Sequence, residues 1–328
     1  QRRNGELPDI VALGFQEVVD LNAVNVVVNS NPSAQRSAAW EEVLLTALNQ
    51  HLAAGGGDRQ YKILKERHLV GILLLVFVRL DHVDHVRDQD GATAGVGIMG
   101  VMGNKGGAAI RLMFYGSSLC FCCAHLAAHR ENVTGRNADY QNILSKIEFG
   151  GSTSSYDGSS SECAFSSGLA GSSSVGILSH DFVFWLGDLN YRIQDDVAVD
   201  EVFRLSEGGP SHWAKLSPHD QLNIERRRGN VLKGFEEGPL LFAPTYKYQA
   251  GRSIYEKRPE KKLRAPAWCD RILWKAKTPA HVELLAYNAV PALDLSDHKP
   301  VHAFFDVQIT HQVESKKTQV LREIMMQL

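Results

Sequence analysis

The 328-residue chain carries 44% hydrophobic side chains, and 35 Lys and Arg against 37 Asp and Glu leave a formal charge of -2. That hydrophobic share supports a sizeable core and excludes disorder for most of the length. The balanced charge excludes the global basic field that draws nucleic acid, so anion recognition has to be local.

The chain opens at Gln1 without an initiator Met or a signal peptide, and so reads as a piece of something longer. In chain order, the aliphatic residues 10–13 predict a first strand, and residues 38–51, apolar at helical spacing, predict a helix. The longest apolar run, 69–80, is too short for a membrane-spanning helix and contains Arg79, so its centre at 73–78 reads as a buried strand. Strands follow at 108–114 and 118–123, then a helix over 136–149 with Tyr140, Ile143, Leu144 and Ile147 on one face. Residues 150–179 are dominated by Ser and Gly, which cannot bury enough apolar surface to order themselves. They predict a flexible surface insertion, not a domain boundary. Further strands are expected at 182–186, 271–274 and 301–307. Near the end, Val320, Leu321, Ile324 and Met325 at helical spacing predict a docked terminal helix or a linker. The pattern is that of a layered α/β protein, with one catalytic domain over 1–309 and the helix or linker over 310–328. Cys120, Cys122, Cys123, Cys163 and Cys269 read as buried, reduced thiols of a cytosolic protein.

Polar groups capable of chemistry collect just after apolar runs, at Gln16-Glu17, His125, Asp188-Leu189-Asn190 and Asp297-His298. Strand ends are where a layered scaffold presents catalytic groups. A carboxylate, an Asp-x-Asn and two imidazoles suit metal-assisted phosphate hydrolysis. Glu17 offers a hard oxygen for Mg²⁺, a cation that keeps most of its waters and takes few protein carboxylates. Asp188 orients or deprotonates an attacking water. Asn190 and both histidines donate hydrogen bonds to phosphoryl oxygens as charge develops. Any one of these residues alone is more often a solvated or satisfied polar group; the whole set outweighs that explanation.

The motifs G-F-Q-E, M-G-N-K-G-G, H-L-A-A-H, W-L-G-D-L-N-Y-R, P-T-Y-K-Y, R-A-P-A-W-C-D-R-I-L-W and S-D-H-K-P-V follow one another along the chain. In them the chain resembles the catalytic domain of type II inositol polyphosphate 5-phosphatases, in the group containing the oculocerebrorenal (Lowe) syndrome phosphatase. The resemblance runs from Pro8 to Val307 outside the Ser-rich insertion. It implies the DNase I-like fold of the endonuclease/exonuclease/phosphatase superfamily, a two-sheet β-sandwich flanked by helices. It also implies Mg²⁺-dependent removal of the 5-phosphate from phosphatidylinositol 4,5-bisphosphate, related phosphoinositides or soluble inositol polyphosphates. The protein would be cytosolic and peripheral on membranes, with flanking trafficking modules and no nucleic-acid partner.

Carried over by position, the resemblance makes Glu17 the metal ligand and Asp188 with Asn190 the pair that acts on water and the transition state. His298 would touch the scissile phosphate, oriented by Asp270; His125 would be the second catalytic histidine and Asp297 the acidic residue beside the metal. Asn104, Lys105 and His129 would contact substrate, and Tyr246, Lys247, Lys262 and Arg264 would grip the 4-phosphate. Arg136 either lines the same cleft or caps its helix, and the apolar Met99 and Met102 of the glycine-dense loop 97–107 would face the bilayer. Family members also carry a metal-binding Asn on a strand upstream of G-F-Q-E. The chain begins after that point, so by itself it is expected to lack a first strand and to be weak or inactive.

Two alternatives stand beside this reading. Apurinic endonucleases and sphingomyelinases share the Glu, Asp-x-Asn and Asp-His signatures but cleave diesters, and have no use for a Lys/Arg/Tyr group at 246, 247, 262 and 264. A catalytically dead lipid-binding domain would require losses among the matched residues, and all those within the chain are present.

Overall fold

The apolar run at 72–79 becomes a strand buried along its whole length, and the molecule is built around it. The computed structural model describes residues 7–19, 32–53, 60–97, 105–150, 174–311 and 313–327. Its strands are β1 (Ile10–Phe15), β2 (Tyr61–Leu69), β3 (Ile72–Arg79), β4 (Val86–Gly95), β5 (Gly106–Phe114), β6 (Ser117–His125), β7 (Glu148–Phe149), β8 (Val175–Gly176), β9 (Phe182–Asp188), β10 (Glu236–Glu237), β11 (Asp270–Ala276), β12 (Val282–Ala289) and β13 (Val301–Val307). The helices are α1 (Pro32–Ala53), α2 (Val133–Lys146), α3 (Val199–Glu207), α4 (Pro210–Leu216), α5 (Gln221–Arg227) and α6 (Glu314–Gln327).

β1, β3 and β2 form one antiparallel sheet, and β10-β11-β9-β6-β5-β4 form a larger one, with β12 and β13 as a separate pair. Between the two main sheets, Leu74, Val76 and Val78 of β3 meet Ile110 of β5, Phe121 of β6 and Phe184 of β9. Each such fully buried side chain is worth about 1.5–3 kcal/mol over exposure. The outer face of the larger sheet, with Cys122 and Trp185, is covered by Tyr140, Ile143 and Ile147 of α2's side. The outer face of the smaller sheet, with Leu73, Leu75 and Phe77, is covered by Leu44, Leu45 and Leu48 of α1. This is the expected helix-flanked sandwich. Among the described residues β1 pairs with β3 alone and forms an edge of its sheet.

All the predicted strands are present. The end of the expected insertion is ordered: Val175–Gly176 pairs with Glu148–Phe149 and Ile177 is buried. Residues 151–173 lie outside the described residues, as do Cys163, Asn104, Met99 and Met102. The other four cysteines are buried thiols, and burial pushes Cys123 up to about 12. Residues 314–327 do form a helix, but Val320, Leu321, Ile324 and Met325 are exposed along it. Among the described residues no helix is long and apolar enough to cross a membrane.

The far side of the larger sheet is pinned by buried charge. Arg271, fully buried on β11, donates to Asp220 at 2.9 Å and to Glu237 at 2.6 Å. Asp220 also caps α5 through Asn223 N. Asp220→Ala would leave Arg271 short of a partner, and is expected to cost about 3–5 kcal/mol in urea unfolding.

Candidate active site

Strand register assembles the site. β5 and β6 pair Gly106 with His125, β6 runs parallel to β9 with His125 beside Asp188, and β9 runs antiparallel to β11 with Asp188 opposite Asp270. Lys105, His125, Asp188 and Asp270 therefore stand in a row at one end of the larger sheet. β1 brings Glu17 to the same end. Gly14 permits that approach, since a Cβ there would lie 2.7 Å from Cys123 Sγ. Gln16 then anchors the turn by donating to Cys123 Sγ at 3.1 Å. Glu17, His129 and Asn190 adopt left-handed backbone at φ 59°, 78° and 57°. Non-glycine residues rarely take that conformation, and where they do they concentrate at functional sites.

The side chains interlock. Asp188 accepts from Asn190 N and Asn190 Nδ2, both at 3.0 Å, and its Oδ2 lies 3.2 Å from His125 Nε2. Asn190 Nδ2 also donates to Leu126 O at 3.1 Å. Glu17 Oε1 is 3.9 Å from His125 Nε2, and Lys105 Nζ touches the same nitrogen. His298 Nδ1 meets Asp270 Oδ2 at 2.9 Å, and Thr245 donates to that carboxylate at 2.6 Å. Tyr246 packs on the His298 ring with centroids 4.6 Å apart, and its hydroxyl accepts from Arg264 at 2.6 Å. Lys247 pairs with Asp297 at 3.0 Å. Glu17, Lys247 and Asp297 share an adjoining cleft of about 720 Å³.

The electrostatics separate the roles. Burial works against ionisation of Asp188, yet the His125 hydrogen bond and the charges of His298, His125 and Lys105 hold it well below the usual carboxylate range. Burial likewise pulls His298 down, but Asp270, then Asp188 and Asp297, push it up to about 10, so the ring is an imidazolium at neutral pH. Burial lowers Lys105 against the pull of Asp188 and Glu17. Donor atoms of Asp188, Asp270 and His298 lie within 4.8 Å of one another. His298 Nδ1 is already engaged by Asp270, so the three form a linked hydrogen-bonding set.

The other predicted residues stand apart. His129 and Lys262 are exposed and bond to none of the inner groups. They lie near Glu131, whose carboxyl is lowered first by its own backbone N–H and further by their charges. Arg136 does not line the cleft. It is fully buried and donates to the carbonyls of Ala127, His129 and Arg130 and to Gln221 Oε1, latching the loop that carries His129.

With the geometry given, comparison decides the family. A family model described as Endonuclease/Exonuclease/phosphatase family 2 matches residues 1–304. The chain belongs to that family. Within it, the chain is 37% identical over 321 residues to the type II inositol 1,4,5-trisphosphate 5-phosphatase of Mus musculus, covering 98% of this chain and 29% of that protein. It is 34% identical over 346 residues to synaptojanin-2 of Rattus norvegicus, covering 98% of this chain and 21% of that protein. The chain thus spans less than a third of these relatives' lengths. Among solved structures, the inositol polyphosphate 5-phosphatase domain of SPsynaptojanin matches with a TM-score of 0.78 at 31% identity, covering 99% of this chain and 82% of that one. That domain was solved with inositol (1,4)-bisphosphate and a calcium ion.

Sequence reading of this family member passed over Arg192 and Thr245. Arg192 is buried, donates to Asn190 O at 3.1 Å and to Asn190 Oδ1, and lies 4.3 Å over the Tyr246 ring. It locks the amide of Asn190 with the nitrogen inward. Its place at the end of W-L-G-D-L-N-Y-R, two residues past Asn190, was the available signal. Arg192→Met should lower kcat about 10²-fold, as when a catalytic group is misplaced by about 1 Å. Arg192→Lys, without the planar fork, should restore only part. Steady-state kinetics alongside thermal melts check this.

Proposed function

We propose that the protein removes the 5-phosphate from phosphatidylinositol 4,5-bisphosphate, related phosphoinositides or soluble inositol polyphosphates, using Mg²⁺, as a cytosolic protein peripheral on membranes. The observation that carries this is the juxtaposition of the Asp188-Asn190 and Asp270-His298 pairs with Tyr246 and Arg264. The first two pairs suit attack of water on phosphorus. The second two suit a neighbouring phosphomonoester, which a diesterase has no need to grip. The relatives named as 5-phosphatases, and the inositol bisphosphate bound by the SPsynaptojanin domain, support the same substrate class.

Glu17 fits a hard divalent cation. Its side chain is 64% exposed, whereas buried Asp188 is held by Asn190 and His125 and keeps acceptor capacity at Oδ1, which takes a single hydrogen bond. One exposed carboxylate suits an ion that keeps its waters. Bound there, such an ion would polarise the phosphoryl oxygens and neutralise developing charge. The chain's own groups do the rest. Asp188, ionised throughout the neutral range, accepts a hydrogen bond from the attacking water and sets its line of approach. His298, with Nδ1 held by Asp270, presents its other N–H to a phosphoryl oxygen. Asn190 and His125 hold the Asp188 carboxylate in place through their own hydrogen bonds, while Tyr246, Arg264 and Lys247 hold the adjacent phosphate. The deciding experiment is phosphate release from a panel of phosphoinositides and inositol phosphates, with and without a chelator.

A further inference from the structure

Beside the cleft, segments 249–264 and 290–297 form one surface. Gly251 N donates to Asp294 O at 2.6 Å and Ser253 Oγ to Pro291 O at 3.1 Å. Lys299, 2% exposed, ties both segments together by donating to Ser253 Oγ at 3.3 Å and Leu293 O at 3.2 Å. On this braced backbone the aliphatic side chains point outward: Ile254 is 52% exposed, Leu263 50%, Leu293 52% and Leu295 89%. Arg252, Lys261 and Lys262 lie exposed among them and form no salt bridge among the described residues. Arg264, next to Leu263, reaches Tyr246 at the active site.

We propose that these two segments are a membrane foot, inserting Leu293 and Leu295, with Ile254 and Leu263, into the interfacial layer of an anionic bilayer while the basic residues engage its head groups. The inference rests on the 5-phosphatase reading and adds the surface by which lipid substrate is met. Charge complementarity selects the occupant. Protein interfaces gather apolar area into a contiguous core depleted of lysine, whereas here single aliphatic side chains stand beside the unpaired cations of 249–264, with one carboxylate, Asp294, between Leu293 and Leu295, as in interfacial membrane binding. The foot sits beside the groups proposed to grip the 4-phosphate, so insertion would bring a head group to His298.

The test uses the full-length protein and an Ile254→Ser/Leu293→Ser variant. The substrates are phosphatidylinositol 4,5-bisphosphate in phosphatidylcholine/phosphatidylserine vesicles and soluble inositol 1,4,5-trisphosphate. The variant is expected to lose on the order of 10-fold in turnover on vesicles and nothing on the soluble substrate. Leu295→Ser, read by co-sedimentation with phosphatidylserine vesicles lacking substrate, should bind more weakly than the parent. Unchanged vesicle binding, or equal loss on both substrates, would overturn the proposal. If the parent releases no 5-phosphate from either substrate, the 5-phosphatase reading fails, while co-sedimentation still decides the foot.

Discussion

Asp188→Asn is expected to lower kcat by about 10²–10⁴-fold, the range for a lost general base, with a much smaller change in KM. The substitution keeps the size of the side chain. Its amide still accepts from Asn190 N through one atom, but the charge that fixes His125 at 3.2 Å and receives the water is gone. Because the carboxylate is held well below its usual range by His125, His298 and Lys105, the parent enzyme should show no loss of Asp188 function on mild acidification. The sign follows from the depressed value: the ionised form persists above the folded pKa, so activity tied to it falls only in strong acid. Single-turnover measurements of phosphate release check this. A rate within a few-fold of the parent would remove Asp188 from the chemistry.

The second large effect lies at His298. Asp270 is the foremost of the charges that lift its ring to about 10 from 6.5 against the opposing effect of burial. Replacing it in Asp270→Asn leaves burial in place and removes the main support for the imidazolium. The alkaline limb of the pH–rate profile should move from near 10 toward or below neutrality. Activity at mildly alkaline pH should fall about 10²-fold, as expected for a lost transition-state donor. A raised folded pKa stabilises the native state fully below the unfolded value of 6.5, and that contribution is lost as pH rises through about 10. The parent should therefore lose stability to urea across that alkaline window, and Asp270→Asn should lose less. Histidine resonances followed by NMR report the pKa directly; an unmoved His298 titration would sink the assignment.

What the sequence revealed tracks how strongly burial constrains composition. β3 is buried on both faces and β5, β6 and β9 nearly so, and their aliphatic runs were plain. β2 and β4 were not foreseen, because YKILKERHL and VRDQDGATAG lie half-exposed and carry charge at alternate or irregular positions. β12 was missed as well, half-covered and interrupted by a bulge between Leu284 and Ala286. The short helices α3 and α4 owe their form to packing around Trp268 and Leu216, and α5 to Leu222 beside Trp185 and Tyr191, not to a long periodic face. In the site, Glu17, His125, Asp188, Asn190, Asp270 and His298 were legible through motif resemblance, and register explains why residues so far apart in the chain meet. Arg192 and Arg136 exchanged expectations. A guanidinium's role depends on what encloses it, and only the fold places Arg192 between Asn190 and Tyr246 and Arg136 under the 127–130 loop.

The most direct test is regiospecific phosphate release by the full-length protein, presented in parallel with phosphatidylinositol 4,5-bisphosphate, phosphatidylinositol 4-phosphate and a phosphodiester nucleic-acid substrate, with Mg²⁺ and with a chelator. The predicted result is Mg²⁺-dependent release from the 4,5-bisphosphate that leaves the 4-phosphate in place, and no turnover of the other two. Release from the 4-phosphate lipid, diester cleavage, or no release in the presence of Mg²⁺ would contradict it.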